Sequence, residues 1–485
     1  MKEAEFDVVI IGAGLSGIGM ACHLQRETVG KRVAILERRN AIGGTWDLFR
    51  YPGVRSDSDM FTMSYDFRPW MAPRVLARGE QICEYIVETA RENDVLKNIE
   101  FGVKVTAADW SSERQHWTVS GIHEASGQPY RVSCRFLICC AGYYDYDQGY
   151  LPDFPGIGDF AGQCIHPQFW PQDLDYRGKK VVVIGSGATA VTLIPAMAED
   201  CAHITMLQRS PSYYLSVPGY GKWLRKLESF LPRRWLYHLV RLGNIGLQRF
   251  FYRRAIRNPQ GMRRFLLGQV RKALGPEVDM RHFTPGYNPW EQRLCVVPNG
   301  DLFRVIKAGK ASVVTGDIET FTERGIRLTC GAELEADIVI TATGLQLKTC
   351  GGMQLRVDGV AKPVKRLLSY KAVLMQDLPN LGIILGYVNA SWTLKADIAA
   401  HYLCRLINHM DKRGLTSVTP RAPAGETSDE NAMNALSAGY IQRGKGELPR
   451  QGRQLPWRVS HDYEVDRRLL LDDPIEDQSL EFYPT

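Results

Sequence analysis

Apolar and polar positions alternate between two rhythms along this chain, and the first readable one is a short buried strand. Phe6-Asp-Val-Val-Ile-Ile11 is an apolar run of the kind that parallel sheets bury on both faces. Gly12-Ala-Gly14-Leu-Ser-Gly17 follows it, then a stretch compatible with helix to about Arg26, and Lys31-Arg-Val-Ala-Ile-Leu-Glu37 predicts a second strand. The same grammar returns in Lys180-Val-Val-Val-Ile184 and Gly185-Ser-Gly187-Ala-Thr-Ala190, with a helix to about Met197 and a third strand-like run, His203–Leu207. Phe136–Gly142 reads as the strand on which the chain leaves the first unit, and Ala336–Gly344 as the strand that brings it back. Leu224, Leu227, Leu231, Leu236, Leu239 and Val240 recur at helical spacing and predict helix in the intervening segment.

Strand, glycine loop, helix and second strand make a dinucleotide-binding unit, and here there are two. The fold expected is therefore α/β: two Rossmann-like domains with a helical insertion. The first domain spans residues 1–145 and 340–485; the second spans 146–339 and carries the insertion at 215–280. In the first loop, Gly12 allows the tight turn, Gly14 lets the backbone approach a pyrophosphate, and Gly17 lets helix and strand pack closely. The helix N-terminus supplies unpaired N–H groups for the diphosphate. Glu37 ends the second strand, where a carboxylate accepts from ribose hydroxyls and repels a 2′-phosphate; this site suits FAD. In the second loop, Ser186, Ala188 and Thr189 lie among the glycines and Ala190 replaces the third one. No acid ends the next strand; Arg209 and Ser210 stand there instead, a guanidinium and a hydroxyl suited to a dianionic 2′-phosphate. That site should prefer NADPH to NADH.

Composition narrows the setting. At 485 residues and 45% hydrophobic content the chain supports two to three packed domains. No apolar run approaches the roughly 18 to 20 residues that cross a bilayer, and the N-terminus does not read as a signal peptide; a cytoplasmic enzyme is expected. Eleven cysteines without paired spacing argue against a disulfide framework. Cys134 and Cys139 share one predicted strand, about 16 Å apart, too far to be bridged. The net charge of +7 is uneven: residues 221–272 hold fourteen Lys or Arg against the single acid Glu228, a local +13 that leaves −6 for the rest. This basic segment reads as an amphipathic insertion with a solvated face, or as a peripheral contact with an anionic membrane. No recognisable nucleic-acid motif accompanies it, so nucleic acid is not an expected partner.

Two longer stretches carry a resemblance. Phe160-Ala-Gly162-Gln-Cys-Ile-His166-Pro-Gln-Phe-Trp170-Pro171 is similar to the fingerprint of the type I Baeyer–Villiger monooxygenases, which are class B flavoproteins. Gly43-Gly44-Thr45-Trp46-Asp-Leu-Phe-Arg-Tyr51-Pro52-Gly53-Val-Arg-Ser-Asp57 matches that family's other signature. Within it, Trp46–Gly53 and Tyr387-Val-Asn-Ala-Ser-Trp392-Thr-Leu-Lys395 resemble the mycobacterial ethionamide-activating subgroup. The resemblance implies bound FAD, hydride from NADPH, and O2 captured as a flavin C4a-peroxide that converts ketones to esters or lactones and oxygenates thioethers or thioamides. It implies that Arg293 is the active-site cation, that Asp57 orients it, and that Gly44, Thr45 and Trp46 lie against the flavin. Trp392 would cover the nicotinamide nucleotide, and Phe160, Gly162, His166, Trp170 and Pro171 would form a linker that coordinates domain motion. No metal is implied, since no second His or carboxylate lies at ligand spacing from His166. One departure stands out: Gln292 occupies the place where many members put a lysine next to the arginine. The alternatives are a flavin-containing monooxygenase confined to N and S nucleophiles, whose fingerprint ends differently from Trp170-Pro171, an NADPH oxidase that releases hydrogen peroxide, and a membrane- or nucleic-acid-binding protein.

Overall fold

The computed structural model describes residues 4–72, 74–219, 230–292, 294–426, 428–434 and 439–484. The first sheet is built on β1 (Ala4–Ile11), β2 (Val33–Glu37), β3 (Ile99–Phe101), β4 (Val103–Ser111), β5 (His116–His123) and β6 (Pro129–Cys139). Its main path runs Val360–Ala361, Gln354–Val357, β4, β5, β6, β1, β2, β3. β1 lies parallel to both β6 and β2, with Val9 opposite Leu137 and Ala34. All eleven cysteines are free, and Cys134 and Cys139 are both buried.

The second sheet consists of β7 (Gln163–Ile165), β8 (Lys180–Ile184), β9 (His203–Gln208), β10 (Ala311–Thr315) and β11 (Ile338–Thr341). The order is β10, β9, β8, β11, β7, parallel throughout. Val181, Val183, Ile204, Val339 and Ile340 are all at most 1% exposed, each contributing about 1.5–3 kcal/mol relative to exposure. The run Ala336–Gly344 therefore does not return to the first sheet as its pattern suggested. Its strand stays in the second, with Val339 opposite Val182 and Cys164, and the chain regains the first sheet only at Gln354–Val357. An apolar run fits any interior position of a parallel sheet, so its composition does not say which sheet takes it.

Five helices frame the space between the sheets: α1 (Leu15–Glu27), α2 (Ala188–Met197), α3 (Arg233–Arg257), α4 (Pro259–Leu274) and α5 (Trp392–Arg413). The basic insertion packs on both cores. Leu236, Tyr237 and Val240 of α3 join the core of the first sheet, whereas Val270 and Leu274 of α4 join that of the second. The apolar spacing expected to face inward divides: Leu236 and Val240 are buried, but Leu231 and Leu239 are exposed. Leu239 sits on the flank of the buried face, about 100° round the helix from Val240, and nothing packs over it there. Leu224 and Leu227 lie outside the described residues.

The seam between α1 and α5 is ionic. Glu27 pairs with Nδ1 of His23 at 2.7 Å and of His401 at 3.0 Å. Asp66 pairs with Nε2 of His401 at 2.9 Å, and Asp397 lies 3.5 Å from Nε2 of His23. Burial works against charge on these rings, but the Asp397 and Glu27 carboxylates outweigh it and hold His23 at about 9. Asp66 and Glu27 likewise hold His401 at about 10. A raised imidazole pKa contributes stability in full below the unfolded value, about 6.5; the contribution is lost as pH rises through the folded values. We expect the melting temperature to fall by several degrees from neutrality to about pH 10, and His401→Gln to lose much of that dependence, as calorimetry across this range will show.

Candidate active site

Both glycine loops open at the carboxyl ends of their sheets, where an open α/β sheet binds ligands. Gly12 takes φ +97°, and a Cβ there would lie 2.9 Å from the carbonyl oxygen of Cys140; a Cβ on Gly17 would lie 1.9 Å from that of Gly12. Gly14 faces Gly44, leaving backbone on both sides of a narrow seat. No side chain caps α1, so its first N–H groups are left for a ligand. Glu37 is buried and accepts from the backbone N–H of Ala13 at 2.6 Å and of Arg39 at 2.8 Å. Burial pushes its carboxyl above the ordinary value against the pull of those two bonds. Lone pairs remain on it for ribose hydroxyls.

The second loop repeats the geometry with one difference. Gly185 takes φ +130°, its added Cβ meeting the carbonyl of Ala342 at 2.4 Å, while nothing lies within 4 Å of a Cβ on Gly187. Ala190, in the third position, is fully buried. The Ser186 hydroxyl donates to the carbonyl of Ser210 at 3.1 Å and lies 2.9 Å from Ser212 Oγ. These contacts draw the loop toward Arg209 and Ser210, both exposed at the end of β9.

Between the loops lies a cavity of about 900 Å³, walled by Gly14, Trp46 and Asp57 from one side and by Ala188, Thr189 and Thr192 from the other. The stretch from Gly43 to Asp57 forms its floor, with Thr45 Oγ1 3.5 Å from the Tyr146 hydroxyl. Gly53, at φ +77°, lets this strip lie against α2; a Cβ there would meet the Thr192 carbonyl at 2.8 Å. Arg55 pins it further, donating to Asp301 at 2.5 Å and to the Val191 carbonyl at 3.4 Å. Trp392 begins α5 half-buried in the cavity wall. Its Nε1 donates to Ser16 Oγ at 2.8 Å, and the ring stacks 5.3 Å from Tyr143. The indole thus sits beside the first loop. Tyr387 and Lys395, flanking it in sequence, are tied to Asp466 at 2.7 and 3.0 Å.

Arg293 lies outside the described residues, but its neighbours Gln292 and Leu294 line the cavity. Among the described residues, the cations that line it are Arg38, Arg55, Lys104 and Lys348. Each is spent on a carboxylate: Arg38 on Glu124 and Asp147, Arg55 on Asp301, Lys104 on Asp147 and Lys348 on Asp145.

The fingerprint residues do not reach the cavity. Phe160 packs on Phe321, Trp170 leans on the second core and Pro171 is exposed. Gly162 passes so close to Asp337 that a Cβ would lie 2.4 Å from its carbonyl. His166 Nε2 donates to the Gly344 carbonyl at 3.1 Å and Nδ1 accepts from the Gln168 N–H at 3.2 Å. Burial lowers its pKa, so the ring is neutral and occupied at both nitrogens. Sequence reasoning missed Trp290, which lines the cavity at φ +69° in a turn where Glu291 accepts from Asn288 N and Nδ2. A tryptophan at positive φ is strained, and no short-range signal announces it.

Known proteins match this chain over nearly its whole length. The FAD-containing monooxygenase MymA of Mycobacterium tuberculosis is 56% identical over 481 residues, covering 98% of this chain and 97% of its own. The chain belongs to the FAD-containing monooxygenases. EthA of the same organism, another FAD-containing monooxygenase, is 48% identical over 478 residues, 98% of this chain and 97% of its own. The family described as flavin-binding monooxygenase-like matches residues 5–222. An oxidised steroid monooxygenase bound to NADP superposes with a TM-score of 0.80 at 21% identity, covering 99% of this chain and 100% of its own. The residues of this monooxygenase fit the implied cofactors: a Cβ-free cradle at Gly12 and Gly14 with Glu37 behind it for FAD, and an open Gly187 with Arg209 and Ser210 beyond it for NADP.

Proposed function

We propose that this flavoprotein uses NADPH and O2 to insert oxygen beside a ketone carbonyl, giving an ester or lactone, and to oxygenate thioethers or thioamides. One observation carries the reading: both dinucleotide loops open onto a single cavity whose described cations are all neutralised, with the chain on either side of Arg293 in its wall. FAD, when bound, supplies the oxygen-activating redox chemistry.

The residues do the rest. Gly12, Gly14 and the α1 N-terminus hold the FAD diphosphate, Gly17 keeps helix and strand in contact, and Glu37 holds the ribose. Gly44, Thr45 and Trp46 support the ring. Gly185, Ser186, Gly187, Ala188, Thr189 and Ala190 cradle the NADPH pyrophosphate, and Arg209 with Ser210 selects the 2′-phosphate. Gln292 in place of a lysine makes that selection weaker without reversing it. Arg293 lowers the cost of negative charge developing on oxygen, and Asp57 orients it. Trp392 retains the spent nicotinamide nucleotide. Phe160, Gly162, His166, Trp170 and Pro171 link the domains; His166, with both nitrogens bonded to backbone groups, moves no proton in the reaction.

Supplying the purified enzyme with NADPH, ¹⁸O2 and a linear ketone tests this. The expected product is an ester carrying one labelled oxygen. Unchanged ketone alongside a thioether converted to sulfoxide would replace the proposal with an oxygenase of N and S nucleophiles. NADPH consumption matched by hydrogen peroxide, with no oxygenated product, would replace it with an oxidase.

A further inference from the structure

The outer face of α3 is apolar where a solvated helix should be polar. Trp235, Leu239, Leu242 and Phe250 fall at i, i+4, i+7 and i+15, on one side of the helix. With Phe230 just before the helix, these side chains are 56–83% exposed. The helix cannot roll to hide them. Its other face is fixed by Tyr237, whose hydroxyl lies 2.8 Å from Ser64 Oγ, and by buried Arg241, which donates to the carbonyls of Phe61 at 2.7 Å and Ser64 at 2.9 Å.

Charge surrounds the stripe. From Phe230 to Pro276 there are eleven Lys or Arg and no Asp or Glu. Arg249 and Arg253 are paired with Asp462. Arg234, Arg254, Arg257 and Arg264 are exposed and have no ion pair among the described residues. An exposed Trp and Leu stripe rimmed by arginines is the chemistry of a helix that lies in a bilayer interface. No helix among the described residues is long and apolar enough to cross a membrane, so contact would be along the surface.

We propose that this face of α3 docks the enzyme on an anionic lipid bilayer. A second copy of the chain would bring two strongly basic faces together, a repulsive arrangement, and a nucleic-acid backbone offers nothing to bury Leu239 and Leu242. The cavity reaches the surface beside this helix: Leu247 of α3 and Phe265 of α4 line it and are both exposed. A docked enzyme takes apolar substrate from the acyl layer. That last step rests on the oxygenase reading; docking does not, so the two fail separately.

Flotation of the FAD-loaded, full-length enzyme with vesicles of phosphatidylglycerol and phosphatidylcholine, against phosphatidylcholine alone, tests it. Binding to the anionic vesicles, reversed by salt, is expected. The triple variant Arg254→Gln, Arg257→Gln, Arg264→Gln should partition about 100-fold more weakly. Trp235→Ser, Leu239→Ser, Leu242→Ser should also release the protein, and both variants should keep flavin and their lipid-free NADPH oxidation. Absence of wild-type binding overturns the proposal, as does binding that neither variant weakens. So does a protein that ignores vesicles while the variants abolish self-association or DNA binding.

Discussion

Arg293→Ala is expected to retain its flavin and to lose ester formation by about 100- to 1,000-fold, the usual consequence of removing a fixed group that stabilises charge in a closed site. The size of the effect follows from the lining. Arg38, Arg55, Lys104 and Lys348 are committed to carboxylates, so none of them can take over without breaking an ion pair, and moving Arg38, Arg55 or Lys348 leaves a carboxylate unpaired. Arg293→Lys should recover little, because an ammonium lacks the planar, multi-donor fork of a guanidinium. Ester yield and NADPH oxidation are to be measured together. Loss of ester with continued NADPH consumption supports a role in the oxygen-transfer step; full ketone conversion by Arg293→Ala would remove the assignment.

Gly17→Ala should abolish flavin binding and destabilise the first domain by more than about 3 kcal/mol. The added methyl would sit 1.9 Å from the Gly12 carbonyl oxygen, which is backbone, and Gly12 at φ +97° is itself held between β1 and the end of β6. Neither side can yield without moving the turn that cradles the diphosphate. Gly187→Ala is the control. Nothing lies within 4 Å of its added Cβ, so this variant should fold, keep flavin and lose affinity only for NADPH, whose pyrophosphate would meet the methyl. Flavin content after purification, melting temperature and NADPH KM separate the two. A flavin-loaded, stable Gly17→Ala protein would contradict the packing argument.

The readable parts of this monooxygenase are those dictated by neighbours in the chain. A glycine that must adopt positive φ, an apolar run long enough for a strand and an acid at its end are local requirements, so both loops, their strands and Glu37 could be placed from residue order. The absence of an acid after β9 was equally plain, and it separates the two nucleotide sites. The stretches Gly43–Asp57 and Phe160–Pro171 were recognisable as motifs, and only the resemblance, not their residues, indicated where they lie: one floors the cavity, whereas the other holds backbone to backbone away from it.

What only the tertiary structure decided depends on partners distant in the chain. Arg55 finds Asp301, His23 and His401 meet between Glu27 and Asp66, and β11 inserts beside β8 instead of rejoining the first sheet. Apolar periodicity in α3 showed that one side would be buried, but a helix surrounded by two cores and solvent has three environments to divide among its residues. Leu236 and Val240 find a core opposite them, whereas Leu239, on the flank of the same face, meets solvent. Burial is a property of what lies opposite a side chain, and residue order alone does not specify that.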